Sequence, residues 1–423
     1  MDSNSKMDRI IVGAGVLILS GAFLPIIFAD RKFNYIEGSP GYEMTLGAIY
    51  VVTAAYSVIH FRQIAAVLSR SKPLVFVTAV ALLSPLWAEN PNLAIRRSFA
   101  LLGTTLIGAL LASRFHSSER LNLLSVIFRV LAVSCILFAI VLPQYGITTD
   151  RLLHLGDWTG VFGNKNRLGA YVALAFLVDW YRPIGARSRL LWCGLYILLL
   201  VESRSASPLA ALLATWVMIK LIHTMRTRHR LSLRAIGLAI GSAIGICVGA
   251  GLGTGVLQAV LGRSADLTGR TELWQELIPT LLHHPLLGYG YGSFWAGASA
   301  DYFALQRNLS WVPMYAHNGY LEVLVSLGLA GGAGAFWFLA RGTIHATLLA
   351  ETSDLREDLF PFAFLVYFLI HNIVECTIVY LNSLEWALCV ATVLAVLPER
   401  LEKWEAIAFD ESESELAIPE EYA

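Results

Sequence analysis

Three residues in separate stretches of the chain could act together on a charged substrate. They are Arg204 in Glu202-Ser203-Arg204-Ser205, Arg270 in Gly269-Arg270-Thr271-Glu272-Leu273-Trp274, and His317 in Tyr315-Ala316-His317-Asn318-Gly319-Tyr320. A guanidinium fork matches phosphate oxygens two at a time. Neutral imidazole is the usual proton acceptor near pH 7. Two arginines beside such a base are what a reaction on a phosphorylated substrate needs: one part holds charge, the other takes a proton. Each residue also has a plainer account. Arg204 can pair with Glu202 or snorkel, or it can bind pyrophosphate. His317 can be a polar residue at the lip of an apolar helix. Arg270 opens an amphipathic run with Leu273, Trp274, Leu277 and Ile278 on one face, where helix dipole and guanidinium both attract an anion. Two further segments, Trp87–Arg97 and Phe162–Gly169, place Arg97 and Lys165 beside small or amide residues, as anchors or as part of a basic rim.

The elements that must position these groups are membrane helices. Of 423 residues, 56% are hydrophobic and 15% charged, with a mean hydropathy of +0.62. Soluble domains run at about 45–50% apolar and about 25% charged. The excess recurs in blocks long enough to approach the roughly 20 residues of a bilayer span. A soluble enzyme, a disulfide scaffold and a disordered chain are thereby excluded. The apolar runs predict twelve spans, at 10–29, 44–61, 73–88, 98–113, 122–142, 168–181, 189–202, 206–222, 235–261, 318–340, 360–379 and 382–397. The first follows Lys6 and Arg9 but lacks a small-residue cleavage site, and is expected to be a retained helix. Residues 1–397 thus form one membrane domain, and 398–423 an acidic tail holding nine of the 31 acids.

Lys and Arg set the expected orientation. With the N-terminus inside, inner segments carry 18 basic residues and outer segments 11. The stretch Arg226–Arg234 is the clearest contributor. Both termini are then cytoplasmic, and the long connection 262–316 is extracytoplasmic, with short helices of its own. Its Gly-aromatic run Gly288-Tyr289-Gly290-Tyr291-Gly292-Ser293-Phe294-Trp295 suits close-packed turns or a sugar-stacking surface. Zero net charge gives no sign of a nucleic-acid partner. The five cysteines all lie in apolar blocks, as small buried hydrophobes. His371 and Glu375 are expected on one helix face at i, i+4, as a hydrogen-bonded pair. A proton or ion pathway through them and Arg129 is the competing expectation. His283-His284 has no carboxylate or cysteine framework beside it, so no metal site is expected.

Four segments on one predicted membrane face, taken in order, resemble the O-antigen ligase and polysaccharide polymerase superfamily, of the Wzy/WaaL type and ExoQ-like. They are Trp87-Ala88-Glu89-Asn90-Pro91 through Arg96-Arg97; Phe162-Gly163-Asn164-Lys165-Asn166-Arg167-Leu168-Gly169; Ser203-Arg204-Ser205; and Gly269-Arg270-Thr271 leading to His317, eleven positions before Gly328. The resemblance spans about residues 75–395 and implies an all-α, GT-C-like polytopic fold. It implies a metal-independent, inverting glycosyl transfer without a cofactor, from an undecaprenyl-pyrophosphate-linked oligosaccharide donor. His317 matches the candidate base, Arg204 and Arg270 the essential arginines; Arg97 and Lys165 are softer matches. Polymerisation of surface polysaccharide repeats is the expected activity. The alternatives are ligation of the glycan to lipid A core or protein, and, in another class, transport or flipping of lipid-linked or anionic solutes. The implied setting is the bacterial inner membrane with a periplasmic site. The partners are the donor, a glycan acceptor (lipid-linked repeat or lipid A core), the bilayer, and chain-length regulator or export proteins.

Overall fold

A computed structural model describes residues 3–28, 39–148, 155–227, 268–297 and 299–397. Its helices are α1 (Ser3–Leu19), α2 (Leu24–Phe28), α3 (Pro40–Ile59), α4 (Phe61–Ser69), α5 (Lys72–Leu83), α6 (Pro91–Arg114), α7 (Ser117–Val141) and α8 (Pro143–Gly146). They continue with α9 (Lys165–Tyr181), α10 (Ala186–Glu202), α11 (Ala206–Thr227), α12 (Thr268–Leu281) and α13 (Ala300–Arg307). The last three are α14 (Gly319–Thr352), α15 (Phe360–His371) and α16 (Leu384–Val396). Among the described residues there is no strand, only an isolated bridge between Ile147 and Trp158.

Local signals start the helices. Asn90 accepts from the Leu93 amide with Pro91 at the first helical position of α6. Asn164, Asn318 and Ser383 cap α9, α14 and α16 through their side chains in the same way. Small residues then let helices approach: a Cβ on Gly108 of α6 would stand 2.5 Å from the Ala387 carbonyl oxygen of α16.

Length sorts the apolar runs. Four helices, α3, α6, α7 and α14, are long and apolar enough to cross a membrane, or five spans if α4 and α5, bent by 105°, count as one. Helices α9 and α10 have 17 residues each, and α15 and α16 have 12 and 13. At 1.5 Å per residue, α15 and α16 reach only about 20 Å. The protein is a multi-pass membrane protein, all-helical among the described residues. The expected span 235–261, Cys247, Arg31, Lys32, Arg151, Arg263, the basic residues Arg228, Arg230 and Arg234, and the tail 398–423 lie outside the described residues. The four described cysteines are free and buried, as their apolar surroundings predict.

Two expectations need correction. Helix α15 ends at His371, so His371 and Glu375 do not share a helix face. Asn372 breaks the period: its side-chain oxygen accepts from the Thr377 and Ile378 amides, at 2.8 and 3.0 Å, and folds residues 372–378 into a turn. His371 faces Glu385 at 3.6 Å, and Glu375 faces Arg270 at 3.6 Å. On α12, Leu273, Trp274 and Leu277 are buried as expected, but Ile278 is exposed.

Candidate active site

The first centre is assembled from three elements that meet at the N-terminal end of α14. Helix α12 supplies Arg270, whose Nη1 donates to the Val374 carbonyl at 2.7 Å and whose Nη2 lies 3.6 Å from Glu375. One turn on, Trp274 donates its indole N–H to the Ala316 carbonyl at 2.8 Å. Glu322 accepts from the Ala316 amide at 2.8 Å and from Trp295 at 2.9 Å. The Asn318 amide donates to Cys376 Sγ at 3.2 Å, and the Gly319 amide to the Asn372 carbonyl at 2.8 Å. Both neighbours of His317 are therefore held, and His317 itself takes φ +51°, the left-handed region that non-glycine residues rarely adopt.

The imidazole of His317 lies against Tyr315, with ring centroids 4.1 Å apart, and Trp311, at 5.7 Å. Its Nδ1 is buried and has no hydrogen-bond partner among the described residues. Burial, then the Arg270 charge, push its pKa down from 6.5 to about 3. Burial and the Glu375 carboxylate hold the Tyr315 phenol above its ordinary range. The site thus presents a neutral imidazole, an unsatisfied ring nitrogen and a guanidinium that still has donors to spare.

A second centre gathers around Asp157, a buried loop carboxylate. Lys165 at the start of α9 reaches it at 3.0 Å and Arg204, between α10 and α11, at 3.3 Å. The partner expected for Arg204, Glu202, is replaced by this more distant residue. Arg204 has φ +48° and a side chain 55% exposed, so its fork is turned to solvent from a strained turn. Ser205 Oγ and Asn166 Oδ1, 2.9 Å apart, fasten that turn to α9.

The first turn of α9 joins the two centres. Lys165 faces Asp157, while Arg167 acts electrostatically on Tyr315 and Glu375 of the first centre. Two residues apart on one helix, their Cα atoms are separated by only about 5.4 Å. Arg167, Glu375 and Asp157 were not singled out as site residues from the sequence. Arg167 lies in the second motif segment and Glu375 is expected only with His371, whereas Asp157 is a lone acid whose role depends on what the fold brings to it. Arg97 takes a different place: its Nη1 donates to the Gly292 carbonyl at 2.5 Å, bracing the Gly-aromatic loop. Gly288, Gly290 and Gly292 all have positive φ, and Tyr289, Tyr291 and Phe294 are buried, so this run is close-packed turns. Arg129 is spent on structure. It pairs with Asp179 through two bonds, at 2.9 and 3.2 Å, and stacks on Trp192. Among the described residues no cluster of three or more metal-ligating side chains occurs.

Comparison with known proteins agrees with the class that this architecture suggests. Residues 189–336 match the family described as O-antigen ligase, a stretch that includes Arg204, Arg270, His317 and Gly328. The chain is also 24% identical over 267 residues to the exopolysaccharide production protein ExoQ of Rhizobium meliloti (strain 1021), covering 60% of each protein. Over these segments the chain is similar to O-antigen ligases and to an exopolysaccharide production protein. The chain spans about 60% of the length of the relative that it matches.

Proposed function

We propose that the protein is an inverting glycosyltransferase of the inner membrane. It moves an undecaprenyl-pyrophosphate-linked oligosaccharide onto an acceptor sugar hydroxyl at the periplasmic face, polymerising surface polysaccharide. The observation that carries this is the buried, unpartnered Nδ1 of His317 beside Arg270. In the reaction the acceptor oxygen attacks the anomeric carbon from the face opposite the diphosphate. The anomeric C–O bond breaks, its electron pair stays on the diphosphate oxygen, and the hydroxyl proton passes to His317. Arg270 and Arg204 hold the charge that grows on the leaving diphosphate, and Lys165 and Arg167 extend the basic rim. Asp157 and Glu375 orient those cations until the donor arrives. Water, which would hydrolyse the donor, is kept out by the packed loop that Arg97 braces. A GT-C-like arrangement, about twelve spans and cytoplasmic termini belong to the same proposal.

Polymerisation is preferred to ligation because the similar Rhizobium protein is an exopolysaccharide production protein. Deleting the gene separates the two: loss of linkage between repeats marks a polymerase, and full-length chains left unattached mark a ligase. Two outcomes follow for the purified protein. Arg270→Lys lowers transfer about 10–100-fold, because a point charge lacks the fork that spans two phosphate oxygens; initial rates at saturating acceptor check it. The second concerns pH. With the free-enzyme imidazole pushed down to about 3, His317 stays neutral as pH falls through its ordinary value. The kcat/KM profile therefore stays level through pH 6.5, whereas bound diphosphate favours imidazolium and moves the acid limb of kcat to higher pH. Full profiles of both parameters test this.

A further inference from the structure

We infer that Asn372 is a positioning residue of the proposed centre, fixing how far the Arg270 guanidinium stands from the His317 imidazole; this rests on the reading of His317 as the proton acceptor. Asn372 is 0% exposed, so it acts through its neighbours in the chain and not by touching substrate.

A side-chain amide has two N–H donors and an oxygen with two lone pairs, and at Asn372 all four are used. Nδ2 donates to the Phe368 carbonyl and to Thr377 Oγ1, both at 2.8 Å. Oδ1 accepts from the Thr377 and Ile378 amides at 2.8 and 3.0 Å. The first bond anchors the side chain on the last turn of α15, and the others close residues 372–378 into their turn. That turn carries the Val374 carbonyl and the Glu375 carboxylate, both partners of Arg270. Asn372 therefore sets the place of Arg270 through the turn that holds it.

His317 is referred to the same residue from the other side. The Asn372 carbonyl accepts from the Gly319 amide at 2.8 Å, and Cys376 Sγ, on the same turn, from the Asn318 amide at 3.2 Å. Gly319 packs so closely that a Cβ on it would run into Asn372 Oδ1. Tyr320 adds a bond from its hydroxyl to the Leu369 carbonyl at 2.9 Å, just before Asn372 on α15. With Trp274 of α12 holding the Ala316 carbonyl, the triangle closes: α12 to the turn, the turn to the start of α14, and that start back to α12. Two of its sides meet at the turn that one amide shapes.

The consequence is electrostatic. Burial first, and then the Arg270 charge, hold the His317 imidazole down at about 3. The titratable and charged groups around it are Tyr315 on its own segment, Arg270 on α12, Glu375 and Cys376 on the turn, Glu322 on α14 and Arg167 on α9. Of these, Arg270 is the one whose charge bears on the imidazole. A slack turn lets Arg270 withdraw and water enter, so both causes weaken and the imidazole returns toward its ordinary value of 6.5. Below that pH the base is then protonated and lost.

The test is the pH dependence of kcat/KM for the full chain in phospholipid vesicles, with a defined undecaprenyl-pyrophosphate-linked repeat. Asn372→Ser removes the amide, and Gly319→Ala presses on it from α14. Gly108→Ala is the control: it crowds the Ala387 carbonyl between α6 and α16 and loosens the fold away from the site. From about pH 7.5 to about pH 5.5, wild type and Gly108→Ala stay level, whereas Asn372→Ser and Gly319→Ala fall about tenfold, as an imidazole at its ordinary value would. Carbethoxylation of His317 by diethyl pyrocarbonate, read on its peptide by mass spectrometry, follows the same titration in a variant that does not turn over. Level profiles in both site variants would overturn the positioning role. So would the same fall in Gly108→Ala, or failure of both site variants to insert, since either marks a purely structural part. Wild-type transfer by His317→Asn would instead remove the reading of His317 as base.

Discussion

His317→Asn abolishes glycan transfer while leaving a folded, membrane-inserted protein, with kcat falling by about 10²–10⁴-fold. Asparagine is the informative replacement because it tolerates the left-handed backbone better than most residues, and His317 sits at φ +51°. Alanine would confound a missing base with a relaxed turn. The amide of asparagine can donate or accept a hydrogen bond, but it does not hold a proton. KM for the donor is expected to change little, since Arg270 and Arg204 remain. Steady-state rates of the purified variant, together with its elution profile, check this. A variant that keeps most of the wild-type rate would remove His317 from the proton path.

Gly328→Ala has the largest expected effect on the fold. A Cβ there would stand 2.5 Å from the Leu286 carbonyl oxygen and the Leu287 nitrogen, both backbone atoms. Side-chain rotation cannot relieve contacts with backbone. The torsions themselves, φ +60° and ψ −161°, fall in a region open essentially to glycine alone, at a strain of about 1–3 kcal/mol for another residue. The loop must therefore leave the helix break, and the carbonyls of Pro285 and Leu286 lose their partners. A marked fall in thermal midpoint in detergent is expected, with loss of activity, because the same loop is tied to Arg97 through Gly292 and to Glu322 through Trp295. The spacing between His317 and Gly328 thus has a mechanical meaning. One residue carries the candidate base at the start of α14, and the other seats Leu286 and Leu287 against the break in the same helix.

Much of the helical framework was legible in the sequence, because apolar runs, Pro at first turns and Asn or Ser caps act within a few residues of the element that they shape. The runs did not reveal which helices were long enough to cross alone. Apolarity continues through the turn of Asn372 just as it would through a helix, so His371 and Glu375 looked like an i, i+4 pair. The pairing of Arg270 with His317 was expected only as a shared membrane face; their proximity comes from Trp274 gripping the Ala316 carbonyl across 42 residues of sequence. Asp157 was invisible for a similar reason. A lone loop aspartate gains significance only when Lys165 and Arg204 arrive from two other elements. Arg97 shows the converse, since a cation beside a candidate site was read as part of it, and the fold uses that cation to brace the loop.

In the proposed reaction Arg270 and His317 form one centre for displacing a diphosphate. Reconstituted protein with a defined undecaprenyl-pyrophosphate-linked repeat tests it most directly, by counting glycosidic bonds formed against lipid diphosphate released. Wild type is expected to yield equal amounts of both, and His317→Asn neither, although the variant still binds donor. Glycosidic bonds made by His317→Asn at the wild-type rate would contradict it.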